Sequence, residues 1–142
     1  MEANIYPIEK LGDLNLQQLY IRTNDWLDEI DFCESEVRFF KKVSDLYILK
    51  SDTVAKRRVE QLQNELFQLQ LDKHSLRTDV INHREVIELL IKDLISMKEE
   101  ELKEKHEDLE SRVSQLHQSF MNYKISLFKI TEEIIEIRSE NS

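Results

Sequence analysis

The sequence predicts an all-α fold, an elongated antiparallel three-helix bundle, and three observations carry that reading. The chain of 142 residues holds one proline and one glycine, Pro7 and Gly12, and neither recurs after residue 12. Those are the strongest local breakers, and sheet proteins need them at their many turns. Apolar side chains recur at alternating steps of three and four, the seam of a helix packed on other helices. The seam falls into three stretches of similar length, which fold most simply as up, down, up.

Residues 1–13 form an N-terminal segment ahead of the first stretch. Asp13 is placed to cap helix one, because a short carboxylate accepts a bond from an orphan amide of the first turn. Helix one then covers 14–49, along Leu16, Leu19, Thr23, Trp26, Ile30, Cys33, Val37, Phe40, Ser44 and Tyr47. The next break is Lys50 to Thr53, where Ser51 or Asp52 suits a new cap. Helix two covers 53–97, and its seam keeps one phase from Val59 through Leu66, Lys73, Val80, His83 and Leu90 to Met97. A loop inside that run would have to restore the phase by chance. The alternative splits it near Lys73 to Ser75 and gives a four-helix up-down bundle.

After Met97 the phase slips, and a turn at Lys98 to Glu101 keeps Glu101, Glu104 and Asp108 out of the core. Helix three covers 101–138, through Leu102, His106, Leu109, Val113, Leu116, Phe120, Tyr123, Leu127, Ile130 and Ile134. Glu99, Glu100 and Glu101 suit its amide end. The whole chain, 1–142, reads as one domain, with helices on the order of 50 to 60 Å long at ~1.5 Å per residue.

Turns centred near residues 51 and 100 set the expected neighbours. Trp26 falls near Tyr123 and Arg77, Cys33 near Ile130, and His83 near His117 and Tyr20. Lys73 reaches toward Glu29 or Asp28. The apolar patch of Val86, Ile87, Leu89, Leu90, Ile91, Leu94 and Ile95 faces the N-terminal segment, so Ile5, Tyr6, Ile8, Leu11 and Leu14 are expected to pack on it.

Charge excludes some classes of function. The formal net charge of -9 speaks against nucleic acid, because phosphate contacts need a basic face. No apolar run approaches the ~20 residues a bilayer requires, and an acidic surface is repelled by anionic lipid, so no membrane partner is expected. Met1-Glu2-Ala3-Asn4 does not open a secretory signal. The lone Cys33 forms no intramolecular disulfide, and a cytoplasmic location is the default.

No catalytic or phosphate-binding motif is present, so the chain reads as non-enzymatic, without a cofactor. A di-iron bundle needs Glu-x-x-His twice, and this sequence has none. His106 and Glu110, four apart in a charge-rich stretch, read as a surface ion pair. His83 occupies a seam position; with His117 and Tyr20 it is the candidate for a metal or small-ligand site, weighed against a buried polar layer that sets register. The polar layer is the simpler reading, and no metal is expected. Cys33 reads as a small core hydrophobe.

Phe32, Phe39, Phe67, Phe128 and Ile135 sit one place off the seam, at one end of the bundle. Large exposed apolar patches are uncommon on monomers, so these five mark an interaction surface and a homodimer is expected, in the common two-fold arrangement, with another protein as a further partner. The function read from the sequence is a self-associating interaction or scaffold bundle; the alternative is the metal- or small-ligand-binding bundle around His83.

Trp26-Leu27-Asp28-Glu29 resembles the Trp-Leu-x-Glu opening of a spectrin-type repeat over that tetrapeptide alone. The wider pattern of Trp26, Glu29, Glu36 and Phe40, then His83, then Tyr123, Lys124 and Phe128 is similar to small uncharacterised bacterial helical-bundle proteins. That resemblance spans most of the chain and implies a helical bundle, with no activity and no site residue attached.

Overall fold

The computed structural model describes residues 15–50 and 53–140, and within them three helices follow one another: α1 (Leu16–Lys50), α2 (Thr53–Ile91) and α3 (Glu99–Glu140). The described residues contain no strand. Pairs α1·α2 and α2·α3 pack closely, as an all-α three-helix bundle requires. The middle helix runs unbroken through Lys73 to Ser75, so the bundle has three helices and not four.

Helix α1 starts on a reciprocal cap. Asn15 Oδ1 accepts the Gln18 amide N–H at 2.8 Å, and Gln18 Oε1 accepts the Asn15 N–H at 3.4 Å. This arrangement satisfies two amides that lack intrahelical partners. Asn15 therefore takes the role expected of Asp13. Asp13 itself, the rest of segment 1–13 and its expected packing on Val86 to Ile95, and the Ser51 or Asp52 cap all lie outside the described residues.

The largest departure from expectation is the end of α2, at Ile91 and not at residue 97. The Leu94 N–H donates to the Leu89 carbonyl at 2.9 Å and the Asp93 N–H to the Leu90 carbonyl at 3.1 Å. With Asp93 at φ 58°, this is a Schellman cap. Aspartate fills the left-handed position that glycine usually takes, one of the few other residue types that visit this region, because a short polar side chain can bond locally. A glycine-based reading passes over such a stop. Leu94 is exposed and Met97 half-buried, although both continue the seam's phase. Helix α3 starts at Glu99 with three acidic residues in its first turn.

Contacts divide the chain into two compact units, each built from a segment of every helix. In the first, residues 15–31 pack with 74–114. Tyr20 Oη donates to Glu88 at 3.0 Å, Arg84 to Asn24 Oδ1 at 3.0 Å and Arg77 to Asp31 at 2.7 Å, pairings that descend α1 as they climb α2. Arg112 donates to Asp79 at 2.8 Å and ties α3 to α2. Leu16, Leu19, Ile87, Leu90 and Leu102 form a buried cluster flanked by Tyr20, Val86, Ile91 and Met97.

In the second unit, residues 32–73 pack with 115–140. Gln63 donates to Asp45 at 2.9 Å, Lys73 pairs with Glu34, Arg58 pairs with Glu133, and Lys124 lies 2.5 Å from Glu36. Lys73 thus meets Glu34 and not the expected Glu29 or Asp28. Val37, Phe40, Leu62, Leu66, Leu69, Phe120, Tyr123 and Leu127 are buried. Each large side chain so removed from water contributes about 1.5–3 kcal/mol, and truncating one, Leu66→Ala for instance, costs about 2–5 kcal/mol.

The hydroxyls on the seam are satisfied within their own helix. Thr23 Oγ1 donates to the Leu19 carbonyl at 2.7 Å and Ser44 Oγ to the Lys41 carbonyl at 3.0 Å. Such back-bonding lets a hydroxyl sit in an apolar layer without an orphaned proton. Cys33 is half-buried.

Candidate functional site

The first unit carries a polar layer. His83 on α2 and His106 on α3 are both buried, and His83 Nε2 lies 3.0 Å from His106 Nδ1, so one ring donates to the other. Trp26 on α1 covers His106 with ring centroids 4.6 Å apart. Burial lowers the His83 pKa to about 4, helped by the positive charge His106 and Lys105 would place beside it. Burial also lowers His106, against a raising influence from Glu110 and Glu107 and with a further lowering one from Arg22. At neutral pH the pair is uncharged, one ring donating and the other accepting; two protonated rings would have no acceptor between them.

This layer differs from the expected constellation. His83 meets His106 rather than His117, about three helical turns away along α3. The cause is the early stop of α2: a helix that ends at Ile91, six residues before the expected end, moves the centre of the turn back along the chain and shifts the level at which α3 faces α2. His117 is exposed and belongs to the second unit. Tyr20 donates to Glu88 and not to a histidine. Glu110, expected as the partner of His106, is held by Arg22 at 2.6 Å. Trp26 rests on His106, while Tyr123 packs on Phe40 with centroids 5.4 Å apart in the second unit. His106 was legible as a member of the layer from its place four residues after Leu102 on the seam; the charges around it hid that. Among the described residues no three His, Cys, Asp or Glu side chains converge as a metal site.

The second unit carries an apolar face. Phe32, Phe39, Phe67, Phe128 and Ile135 are all exposed, from 58% for Ile135 to 65% for Phe32, and all five lie in this unit. The sequence-predicted surface residues therefore share one unit, as their common end of the chain pattern suggested. Leu46 and Met121 extend the lines: Phe32, Phe39 and Leu46 are spaced by sevens on α1, and Met121, Phe128 and Ile135 by sevens on α3. Both additions carried the signal of heptad spacing. Nine of the thirteen large apolar side chains exposed among the described residues belong to the second unit.

The second unit also holds an open cleft of about 420 Å³ lined by Glu65, Asp72, Asn122 and Tyr123 among others. The Tyr123 hydroxyl is buried and finds no hydrogen-bond partner among the described residues. Burial, with the Glu65 carboxylate nearby, pushes its pKa up to about 12, so it stays protonated. No helix of the described residues is long and apolar enough to cross a membrane.

No protein family, curated protein or solved structure shows significant similarity to this chain.

Proposed function

We propose that this chain is a non-enzymatic interaction protein that self-associates through its second unit and works as a scaffold. The observation that carries the reading is the concentration of exposed apolar side chains there, including Phe32, Phe39, Phe67 and Phe128. A monomer leaves few such patches beyond several hundred Å² in water, and a second copy is the partner present wherever the chain is. Cytoplasmic residence belongs to the same reading and rests on the single cysteine. The histidine layer supports a structural part for the first unit, because the two buried rings bond to each other across α2 and α3.

Sedimentation velocity over a wide protein concentration range tests this. A concentration-dependent dimer is the expected result; a single monomeric species at every concentration overturns self-association. Metal analysis of purified protein, expected to find no stoichiometric ion, guards the alternative of a metal-binding bundle around His83.

A further inference from the structure

The second unit's apolar side chains do not spread evenly around it. On α1 the buried side is marked by Val37, Phe40 and Ser44, and Glu36 stands to one side of it, where it meets Lys124 of α3. At roughly 100° per residue, Phe32, Phe39 and Leu46 lie further round α1 in that same direction. On α3 the buried side is marked by Phe120, Tyr123 and Leu127; Lys124 stands toward α1, and Met121, Phe128 and Ile135 lie just beyond it. The two lines thus flank the groove between α1 and α3, with the Glu36–Lys124 pair and half-buried Val43 and Tyr47 along its floor. Phe67 does not belong to it. Gln63 places α1 on one side of α2, and Phe67 lies beyond Gln63 on that side, along the α1–α2 groove.

Carrying the Glu36–Lys124 level along both helices sets Phe32 beside Met121, Phe39 beside Phe128 and Leu46 beside Ile135. The offset is one residue, about 1.5 Å. Successive rungs are roughly 10 Å apart. All six side chains are between 42% and 65% exposed. With whole side chains of this kind offering roughly 150–200 Å², the groove presents on the order of 600 Å² of apolar surface per copy. Two such faces bury about 1,200 Å², the lower bound of stable interfaces.

Resting on the reading of self-association, we propose that this α1–α3 groove is the dimer interface, closed by a second copy about a two-fold axis running along the groove. That axis lays α1 of each copy over α3 of the other, parallel and at equal levels. Each rung then meets its counterpart: Phe32 over Met121, Phe39 over Phe128, Leu46 over Ile135. It also sets Lys42, on the outer margin of the α1 line, over Glu132 on the outer margin of the α3 line, twice per dimer; both are exposed. Turning one copy end for end would leave Lys42 opposite Ser35 and Glu132 opposite Ile125, without a counter-charge. The face is electrically balanced, Glu36 with Lys124 and Lys42 with Glu132, in a chain of net charge -9. That balance lets like-charged copies approach here.

Sedimentation equilibrium of the full chain and its variants tests the arrangement, with far-UV circular dichroism as the check on folding. Phe39→Glu, exposed and so harmless to the fold, raises the dimer dissociation constant by roughly 100-fold, and Phe67→Glu leaves it unchanged. Lys42→Glu and Glu132→Lys each raise it roughly fivefold, and the two together restore the wild-type value. A wild-type dimer that survives Phe39→Glu combined with Phe128→Glu overturns the groove while leaving self-association standing. A wild-type monomer overturns both, and a groove that takes up only an amphipathic helix of another protein gives that result. A double charge reversal that fails to restore affinity overturns the parallel two-fold.

Discussion

Acidification should unlock the first unit through its histidine layer. The sign follows from where the protons bind. An unfolded histidine titrates near 6.5, whereas folded His83 takes a proton only at about 4. Between those values the unfolded chain binds more protons than the native one, so stability is full above 6.5 and falls as pH drops toward 4. A displacement of that size corresponds to about 3 kcal/mol from His83 alone, and His106, displaced the same way, adds to it. Against a typical domain stability of about 5–15 kcal/mol, the loss is large.

The charges that face the pair are Lys105, Glu107 and Glu110 on α3 and Arg22 on α1. Carboxyl groups as a class ordinarily titrate near pH 4, so the comparison needs a variant that keeps every carboxylate. His83→Leu combined with His106→Leu serves, because replacing both partners of a buried bond by apolar groups is close to neutral at pH 7. Urea unfolding at a series of pH values, followed by far-UV circular dichroism and by fluorescence, reads the difference. Trp26 is the single tryptophan and stacks on His106, so its emission reports on this layer directly. Wild type should lose at least about 3 kcal/mol relative to the double variant as pH falls from 6.5 to 4. Curves that fall in parallel would refute the buried, neutral pair, as would a wild type that gains stability on acidification.

Other substitutions test single features of the fold. Asp93→Gly should raise stability by about 1 kcal/mol in thermal melts, because glycine holds a left-handed cap without a side-chain penalty, and Asp93→Val should lower it; equal melting temperatures would discount the cap. Asn15→Ala should cost about 1 kcal/mol through the lost capping bonds, with earlier amide exchange in the first turn of α1 as the local readout. Tyr123→Phe removes a buried hydroxyl that has no partner among the described residues, so chemical denaturation should show unchanged or higher stability. A loss of more than about 1 kcal/mol there would mean that the hydroxyl is hydrogen-bonded.

The apolar repeat by itself determined the class of fold, the number of helices and nearly every buried position, because a helix that buries one face must present that face every three or four residues. Leu66, Val80, Phe120 and Tyr123 needed nothing further. The repeat also marked Phe32, Phe39, Phe67, Phe128 and Ile135 as surplus to one seam, and all of them are exposed. It did not determine who faces whom. Register depends on where a helix stops, and α2 stops at a cap built on aspartate, while the apolar phase runs on to Leu94 and Met97. That one stop replaced His117 by His106 as the partner of His83, and turned a residue in a charged stretch into a buried one.

Tertiary structure also decided the fate of off-seam apolar residues. Leu27 and Phe32 both stand aside from the α1 seam, yet Leu27 is buried and Phe32 is 65% exposed. Sequence spacing places a side chain around its own helix; only the neighbours' positions determine whether that direction points at another helix or at water.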